Sequence, residues 1–358
     1  MSNLFFELLQ VAVSQRVELS SVPTEEEWEE LFQMAKKQSV LGICFQGIEN
    51  LRKDQCPQRR MIMRWVANSD KVEQKNENTL EGCVKIVNLF RKHGYRSCIL
   101  KGQGIASYYP HPERRTSGDI DIWVEGGREK VLKYIRPLFP KRKVIYHHMD
   151  FPVMKGLPVE VHFTPTWMNN PFKNRYLQRW FLEKSDEQFS HETELGFCIP
   201  TPQFNTVFIL IHIYRHLFDE GIGLRQLLDY YYVLKLFHES NSIPKNQIME
   251  VFHHLGMEKF VGATMYVLQQ VFSMPAEWML CEPLEKRGEF LLQEIMLSGN
   301  FGKFDLRSQK RKGESKPHRL VRRLGRNLRF LRQYPDEILW FPIFTSVHWI
   351  WRKWKGYV

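Results

Sequence analysis

The stretch Cys98–Val124 reads CILKGQGIASYYPHPERRTSGDIDIWV and carries the pattern that predicts the fold. Near its end, Asp119 and Asp121 alternate with bulky apolar residues. Successive side chains of a strand point to opposite faces, so both carboxylates should share one face while the isoleucines enter the core. Two carboxylates at this spacing are costly to bury without a cation, and hard oxygen ligands suit Mg²⁺. A turn followed by a solvated edge strand is the structural alternative.

The first part of the same stretch predicts a phosphate-binding turn. Ile99–Gly102 is typical of a buried strand that ends in a glycine turn, and Gln103–Tyr109 is compatible with a short helix. The beginning of a helix presents free backbone N–H groups to a phosphate. Arg114 and Arg115 precede the acidic strand and are suited to hold further phosphate oxygens.

The order of glycine turn, short helix and alternating aspartates resembles the DNA polymerase β-like nucleotidyltransferase superfamily. The form L-K-G-x-G…Y-P…R-x-S-G-D-I-D-I-W-V is similar to its group of uncharacterised bacterial nucleotidyltransferases, distant relatives of the aminoglycoside and lincosamide nucleotidyltransferases. The resemblance is specific over residues 98–124 and looser over about 98–230. Where the superfamily usually has glycine-serine after the first strand, this chain has Lys101-Gly102-Gln103.

The resemblance implies a fold and a reaction. The fold is α+β, with a polymerase β-like core, a small mixed sheet, and helical N-terminal and C-terminal parts. The reaction is the transfer of a nucleoside monophosphate from an NTP, such as ATP, to a hydroxyl acceptor with release of pyrophosphate. Two Mg²⁺ ions are expected as cofactors, with Mn²⁺ as the alternative.

The resemblance also implies the metal ligands. Asp119 and Asp121 should bind both ions, and Glu160 should complete the site, because V-E-V-H matches the family's form of hydrophobic, acid, hydrophobic and histidine. Asp150, flanked by Met149 and Phe151, is the rival third carboxylate, but Glu160 lies in the clearer strand. The residues expected at the nucleotide are Lys101, Gly102, Arg114, Arg115 and Gly118.

Four further residues are candidates for the substrate pocket, and each has a structural alternative. His162 shares the face of Glu160 and suits either a phosphate or a purely structural contact. His212 lies four residues before His216, a spacing that can bind zinc, but no H-E-x-x-H motif accompanies it. Arg225 and Asp229 either line the pocket or form a structural pair at i, i+4.

Hydrophobic periodicity predicts further elements along the chain. Helices are expected over Glu25–Asn50, with Thr24 as N-cap, over Met61–His93 and over Arg128–Phe139. Strands are expected over 143–148, 151–154 and 157–163, and helices predominate after Gln203. We divide the chain into N-terminal helices (1–94), the catalytic core (95–165), a helical domain (166–300) and a basic, aromatic C-terminal segment (301–358).

Composition favours a cytoplasmic protein. The six cysteines are scattered without a C-x-x-C pair, the N-terminus has no convincing signal peptide, and no apolar run is long enough to span a membrane. A peripheral location at the inner face of the membrane is compatible with these features.

Positive charge is concentrated near the C-terminus. Between Arg307 and Arg332 there are eleven Lys or Arg against the single acid Glu314, which accounts for +10 of the net charge of +11. Residues 298–317 are polar and are expected to form a mobile linker. The segment 307–358 could contact a polyanion or an anionic membrane, but packing on the protein's own core or on an oligomer partner is the interpretation we favour. The sequence leaves the oligomeric state open.

Two hypotheses follow for function. The first is a Mg²⁺-dependent nucleotidyltransferase, with the base and the acceptor left open among small molecules, sugars, proteins and RNA. The second is a catalytically inert relative that binds nucleic acid, an anionic membrane or a protein partner. Binding of a metal–nucleotide complex and release of pyrophosphate distinguish the two.

Overall fold

The computed structural model describes residues 2–308 and 315–357. Within these ranges the regular structure consists of a mixed four-stranded sheet and fourteen α-helices, which confirms the expected α+β class. The strands are β1 (Ser97–Ile99), β2 (Ile120–Val124), β3 (His148–Asp150) and β4 (Val159–His162). The helices are α1 (Ser2–Ala12), α2 (Glu25–Gln38), α3 (Leu41–Asn50), α4 (Arg59–Lys92), α5 (Gln103–Ala106), α6 (Gly127–Leu138), α7 (Pro171–Ser190), α8 (Pro202–Asp219), α9 (Leu224–Ser240), α10 (Lys245–Leu255), α11 (Glu258–Phe272), α12 (Glu285–Ser298), α13 (Lys316–Leu328) and α14 (Pro335–Trp354).

The chain forms two compact units, each assembled from three separate segments. The helical unit comprises Met1–Glu77, Tyr108–Thr116 and His216–Arg323, and the sheet unit comprises Asn78–Ser107, Ser117–Arg215 and Leu324–Val358. The boundaries pass through α4, α8 and α13, and two further ones lie in loops. The division of the chain at residues 94, 165 and 300 stays a prediction.

The helical unit packs its helices around α1 and α11. Helix α1 contacts α3 and α11, and α11 also contacts α9 and α12. The predicted N-cap is confirmed: the Thr24 side chain accepts a hydrogen bond from the Glu27 amide, and the Glu27 carboxylate accepts one from the Thr24 amide. A single helix over Glu25–Asn50 was the wrong expectation, because Ser39 adopts a left-handed conformation with φ +56° and ends α2.

A buried ion pair lies within the helical unit. Arg115 donates from Nε and Nη2 to the two carboxylate oxygens of Asp229 at 2.7 and 2.8 Å, and the Tyr109 hydroxyl donates to the same carboxylate at 2.7 Å. Arg115 and Asp229 are both buried. The structural alternative paired Asp229 with Arg225; in the structure Arg115 pairs with Asp229, and Arg225 donates to the carbonyl of Thr116 at 3.0 Å.

The sheet of the second unit has the order β1-β2-β4-β3. Strand β2 pairs antiparallel with β1 and parallel with β4, and β3 pairs antiparallel with β4. Helix α4 reaches this sheet where Gly82 leaves space for Ile120 and Leu157; a Cβ at Gly82 would lie only 2.4 Å from Leu157. Helix α6 buries Val131, Leu132 and Ile135, as its periodicity predicts.

The predicted strands around residue 150 require a correction. Strand β3 occupies His148–Asp150, where the sequence indicated a break between strands 143–148 and 151–154. Residues 151–153 carry no regular structure, and Val144 contributes only an isolated bridge to Met149. The alternation of side chains along His148–Asp150 is that of a strand. Met149 is fully buried on one face of the sheet, while His148 is paired with His162 and Asp150 with Glu160 on the other face.

The C-terminal region is more ordered than a mobile linker over the residues the structure describes. Arg307 donates to Glu294 and Asp305 at 2.8 and 2.9 Å, so residues 300–308 are held against α12. Residues 309–314 of the expected linker lie outside the described residues. No helix in the described parts of the chain combines the length and the hydropathy needed to cross a bilayer.

The buried pair predicts a large effect on stability. We expect Asp229→Asn to lower the free energy of unfolding by about 3 kcal/mol, because it leaves the buried Arg115 guanidinium without its counter-charge. Glu81→Gln is the matched control, since Glu81 pairs with Lys85 on an exposed helix surface, and should cost less than about 1 kcal/mol. Urea denaturation measures both. Equal losses would mean that the buried pair stabilises no more than the surface pair.

Candidate metal and nucleotide site

Strand register brings three carboxylates into one row of the sheet. The parallel pairing of β2 with β4 sets Asp121 opposite Glu160, and the antiparallel pairing of β3 with β4 sets Asp150 opposite Glu160 on the other side. Residues paired in this way share a face of the sheet. Two positions further along, His162 is paired with His148 on the same face.

Asp121 is buried among cations of its own unit. The Nζ atom of Lys101 and the Nε2 atom of His162 both lie 2.8 Å from its Oδ1 atom. The backbone brings Lys101 there, because the amide of Leu100 donates to the carbonyl of Asp121 at 2.9 Å. Burial opposes ionisation of Asp121, but Lys101 and His162 outweigh it and hold the pKa of this carboxyl below its ordinary value.

Two histidines next to Glu160 favour the ionised form of its carboxylate. The Nδ1 atom of His148 lies 2.9 Å from its Oε2 atom, and Nε2 of His162 lies 3.5 Å from the same oxygen. Burial would raise the pKa of Glu160, but the hydrogen bonds to the two histidines lower it well below the usual range. In return, contacts with Asp121 and Glu160 outweigh burial and raise the pKa of His162. These shifts favour the ionised forms of Asp121 and Glu160 and the protonated form of His162.

Asp119 is the exposed carboxylate of the predicted pair. It lies directly before β2, and its side chain is open to solvent. The negative charge of Asp121 is the main cause that raises the pKa of Asp119, with burial second. An added cation near both groups would relieve this repulsion.

The glycine turn after β1 lies at the predicted position, but the helix that follows it is shorter than predicted. Gly102 has φ +58°, which favours glycine, and a Cβ at Gly104 would lie 2.6 Å from the carbonyl of Ile99. Helix α5 ends at Ala106 instead of continuing to Tyr109. The amides of Gly104, Ile105 and Ala106 donate to the carbonyls of Lys101 and Gly102 within the turn, so these three groups do not face a phosphate.

The arginines expected at the triphosphate have carboxylate partners in the helical unit. Arg115 is committed to the buried pair with Asp229. Arg114 lies 2.8 Å from Glu73 and 3.2 Å from Glu49. Gly118 lies in the irregular stretch that leads into β2. Among the expected nucleotide ligands, Lys101 is thus the cation that the structure brings to Asp121.

The expected pocket residues are also separated. His162 belongs to the carboxylate cluster, whereas His212 lies on α8 with its ring 6.1 Å from that of Phe208. Arg225 and Asp229 belong to the helical unit, where each has the structural contact described above. Among the described residues, the groups of side chains with metal-ligand geometry include neither His212 nor His216.

Two histidines were missed in the sequence. His147 Nε2 lies 3.0 Å from His148 Nδ1, and both rings lie within 5.1 Å of the His162 ring. Burial is the main cause that lowers the pKa of His147 well below its ordinary value, followed by the charges of His148 and His162. The motif H-H-M-D at 147–150 could have indicated this arrangement. Alternation in a strand places His148 and Asp150 on one face of the sheet and Met149 on the other.

This donor set fits a divalent cation. Asp121, Glu160 and His162 each offer a ligand atom, and these atoms lie within 4.8 Å of one another; His148, Asp150 and Glu160 form a second such group. Within the part of the chain that the structure describes, the buried Nδ1 atoms of His147 and His162 have no hydrogen-bond partner. Carboxylate oxygens suit both Mg²⁺ and Mn²⁺.

Comparison with known proteins gives the family. No curated protein and no solved structure matches the chain significantly. The sequence profile of a family described as "Uncharacterised nucleotidyltransferase" matches residues 24–273, a region that contains the glycine turn, the aspartate strand and Glu160. Because the match covers well over half of the chain and includes the carboxylate cluster, the protein belongs to this nucleotidyltransferase family.

Proposed function

We propose that the protein is a divalent-cation-dependent nucleotidyltransferase that moves a nucleoside monophosphate from an NTP to a hydroxyl acceptor. The pairing of Asp121 with Glu160 across β2 and β4, next to the exposed Asp119, is the observation that carries the proposal. The acceptor hydroxyl gives up its proton to solvent and its oxygen bonds to the α-phosphorus, while the bond from this phosphorus to the α–β bridging oxygen breaks and pyrophosphate leaves.

The residues of the site have separate roles in this proposal. Asp119, Asp121 and Glu160 would hold Mg²⁺ or Mn²⁺, two ions as the family resemblance implies, and His162 orients the carboxylates of Asp121 and Glu160. The bound cations would neutralise phosphate charge and align the attacking and leaving oxygens. Asp119 is the carboxylate that an acceptor hydroxyl can reach, because it is the exposed member.

Lys101 is the residue proposed to recognise the triphosphate. Its ammonium group is half-buried beside Asp121, and burial, which favours the neutral amine, is outweighed by Asp121, Asp119 and Glu160, so that its pKa is raised. A cation at the carboxylates would release Lys101 to bind a phosphate oxygen. This charge takes the place of the serine hydroxyl of the superfamily's usual glycine-serine turn.

An inert binding module is the second candidate, and one observation favours it. Lys101 and His162 already compensate Asp121 and Glu160 without any added cation, and His148 lies within hydrogen-bond distance of Glu160. Binding of Mn²⁺ and nucleotide decides between the candidates, since an inert relative would bind neither at the carboxylates. We place both candidates in the cytoplasm, which is supported by the free thiols of all six cysteines.

The first test removes single carboxylate charges. We expect Asp119→Asn, Asp121→Asn and Glu160→Gln each to lower pyrophosphate release by more than ~10²-fold, because loss of one metal ligand removes transition-state stabilisation. Asp150→Asn is the matched control, since its carboxylate is about half exposed and lies at the edge strand; it should retain most activity. The assay follows pyrophosphate release from each NTP with sugar, protein and RNA acceptors, alongside Mn²⁺ binding. Wild-type rates of pyrophosphate release and wild-type Mn²⁺ binding in the first three variants would contradict the assignment of these carboxylates to the metal site.

The second test follows metal affinity with pH. Asp121 and Glu160 have lowered pKa values and stay ionised, whereas His162 has a raised pKa and must lose its proton before a cation binds beside it. Mn²⁺ affinity should therefore increase as the pH rises above about 6.5, the ordinary histidine pKa. Isothermal titration calorimetry measures this dependence.

Two variants control the pH experiment. His162→Asn should flatten the dependence, whereas His253→Gln, at an exposed histidine paired with Glu258, should leave it unchanged. A wild-type affinity that does not change with pH would contradict the role of His162.

A further inference from the structure

Helix α14 has an inner face that packs on its own unit. Phe341 is buried, and the Phe344 ring lies 5.8 Å from Tyr146 and 6.1 Å from Trp167. At the first turn, the buried Glu337 accepts a hydrogen bond from the Asn169 amide at 2.9 Å and pairs with Arg215. These contacts fix the orientation of the helix within the sheet unit.

The opposite face of α14 is apolar and open to solvent. Leu339, Ile343, Val347, Ile350 and Trp354 recur at intervals of three or four residues, and each side chain is at least 51% exposed. We call these five residues the outer stripe. At 1.5 Å per residue it is about 22 Å long. Phe172 at the start of α7 is also exposed, and its ring lies 6.4 Å from Trp340. Apolar patches of this extent mark interaction surfaces.

Basic residues accompany the outer stripe at its C-terminal end. Lys353 and Lys355 are exposed, with their ammonium groups 4.0 Å from the Trp349 ring centroid and 4.7 Å from that of Trp354. Tryptophan beside lysine is typical of helices that lie at the boundary between lipid headgroups and acyl chains.

Charge decides which partner the stripe fits. Residues 324–357 contain six Lys or Arg and two acids, Asp336 and Glu337. Both acids are already paired, with Lys173 and Arg215 respectively. A second copy would therefore bring Lys353 and Lys355 again without unpaired carboxylates from this segment, whereas anionic phospholipid supplies negative charge to these two exposed lysines.

We propose that the outer face of α14 binds the surface of an anionic membrane. The helix lies in the interface plane, with the outer stripe at the acyl boundary and Lys353 and Lys355 at the lipid phosphates. The inner face remains packed on the sheet unit, so the site does not have to unfold in order to bind. The proposal is independent of nucleotidyl transfer, because lipid binding is measured without turnover.

The test uses the full chain and sucrose-loaded vesicles. Phosphatidylcholine vesicles with about 30% phosphatidylserine should bind the protein, and binding should weaken between about 0.05 and 0.5 M NaCl. Vesicles of phosphatidylcholine alone should bind at least about 10-fold more weakly. Failure to bind the anionic vesicles overturns the proposal.

Three variants separate the contributions. Ile343→Ser with Ile350→Ser should weaken binding more than ~10-fold, because less apolar surface enters the lipid. Lys353→Gln with Lys355→Gln should weaken it by about 5-fold per lysine and reduce the salt dependence. Val17→Ser with Val22→Ser changes exposed apolar residues of the helical unit and should have no effect. All exchanged side chains are exposed, so the variants should keep the wild-type melting temperature.

Two other outcomes would overturn the proposal. If the stripe variant converts a dimer to a monomer in light scattering while vesicle binding is unchanged, a second copy covers the face. If the lysine variant loses affinity for RNA but not for vesicles, the partner is nucleic acid.

Discussion

A parallel pair of strands places Asp121 beside Glu160, and the whole candidate site is built on that register. Side chains alternate along a strand, so a slip of one residue would turn either carboxylate into the apolar interior. Ile120 and Ile122 on β2 and Val159 and Val161 on β4 prevent such a slip, because all four are buried. The apolar residues thus fix the positions of the acids that lie between them.

The negative charges of the candidate site are stabilised by neighbouring side chains of the same unit. Asp121 is almost completely buried, and an unpaired carboxylate there would be very costly. Lys101 supplies opposite charge from the glycine turn and His162 supplies it from β4, while His148 on β3 lies within hydrogen-bond distance of Glu160. A cation bound here as proposed would compete with these groups, which would link metal affinity to the phosphate contact proposed for Lys101.

The sequence predicted the parts of the site that depend on local pattern. Alternation identified the strands of Asp121 and Glu160, and the glycine turn identified the position of Lys101. The sequence pattern of a single strand does not predict which strands are neighbours in the sheet. The proximity of His148 to Glu160 therefore follows only from the observed pairing of β3 with β4. The two arginines were expected at a phosphate because cations near an acidic strand suggest one. Arg115 instead meets Asp229, which is 114 positions away, and no local rule predicts such a distant pair.

The division into units has a consequence for synthesis on the ribosome. Domains generally fold in the order in which they emerge, the N-terminal one first. Here the helical unit needs residues up to Arg323, and the sheet unit takes α14 from the last part of the chain. Neither unit can be completed before these later segments exist, and the buried ion pair of Arg215 with Glu337 cannot form until α14 has been synthesised. The nascent chain therefore carries incomplete surfaces of both units until that point.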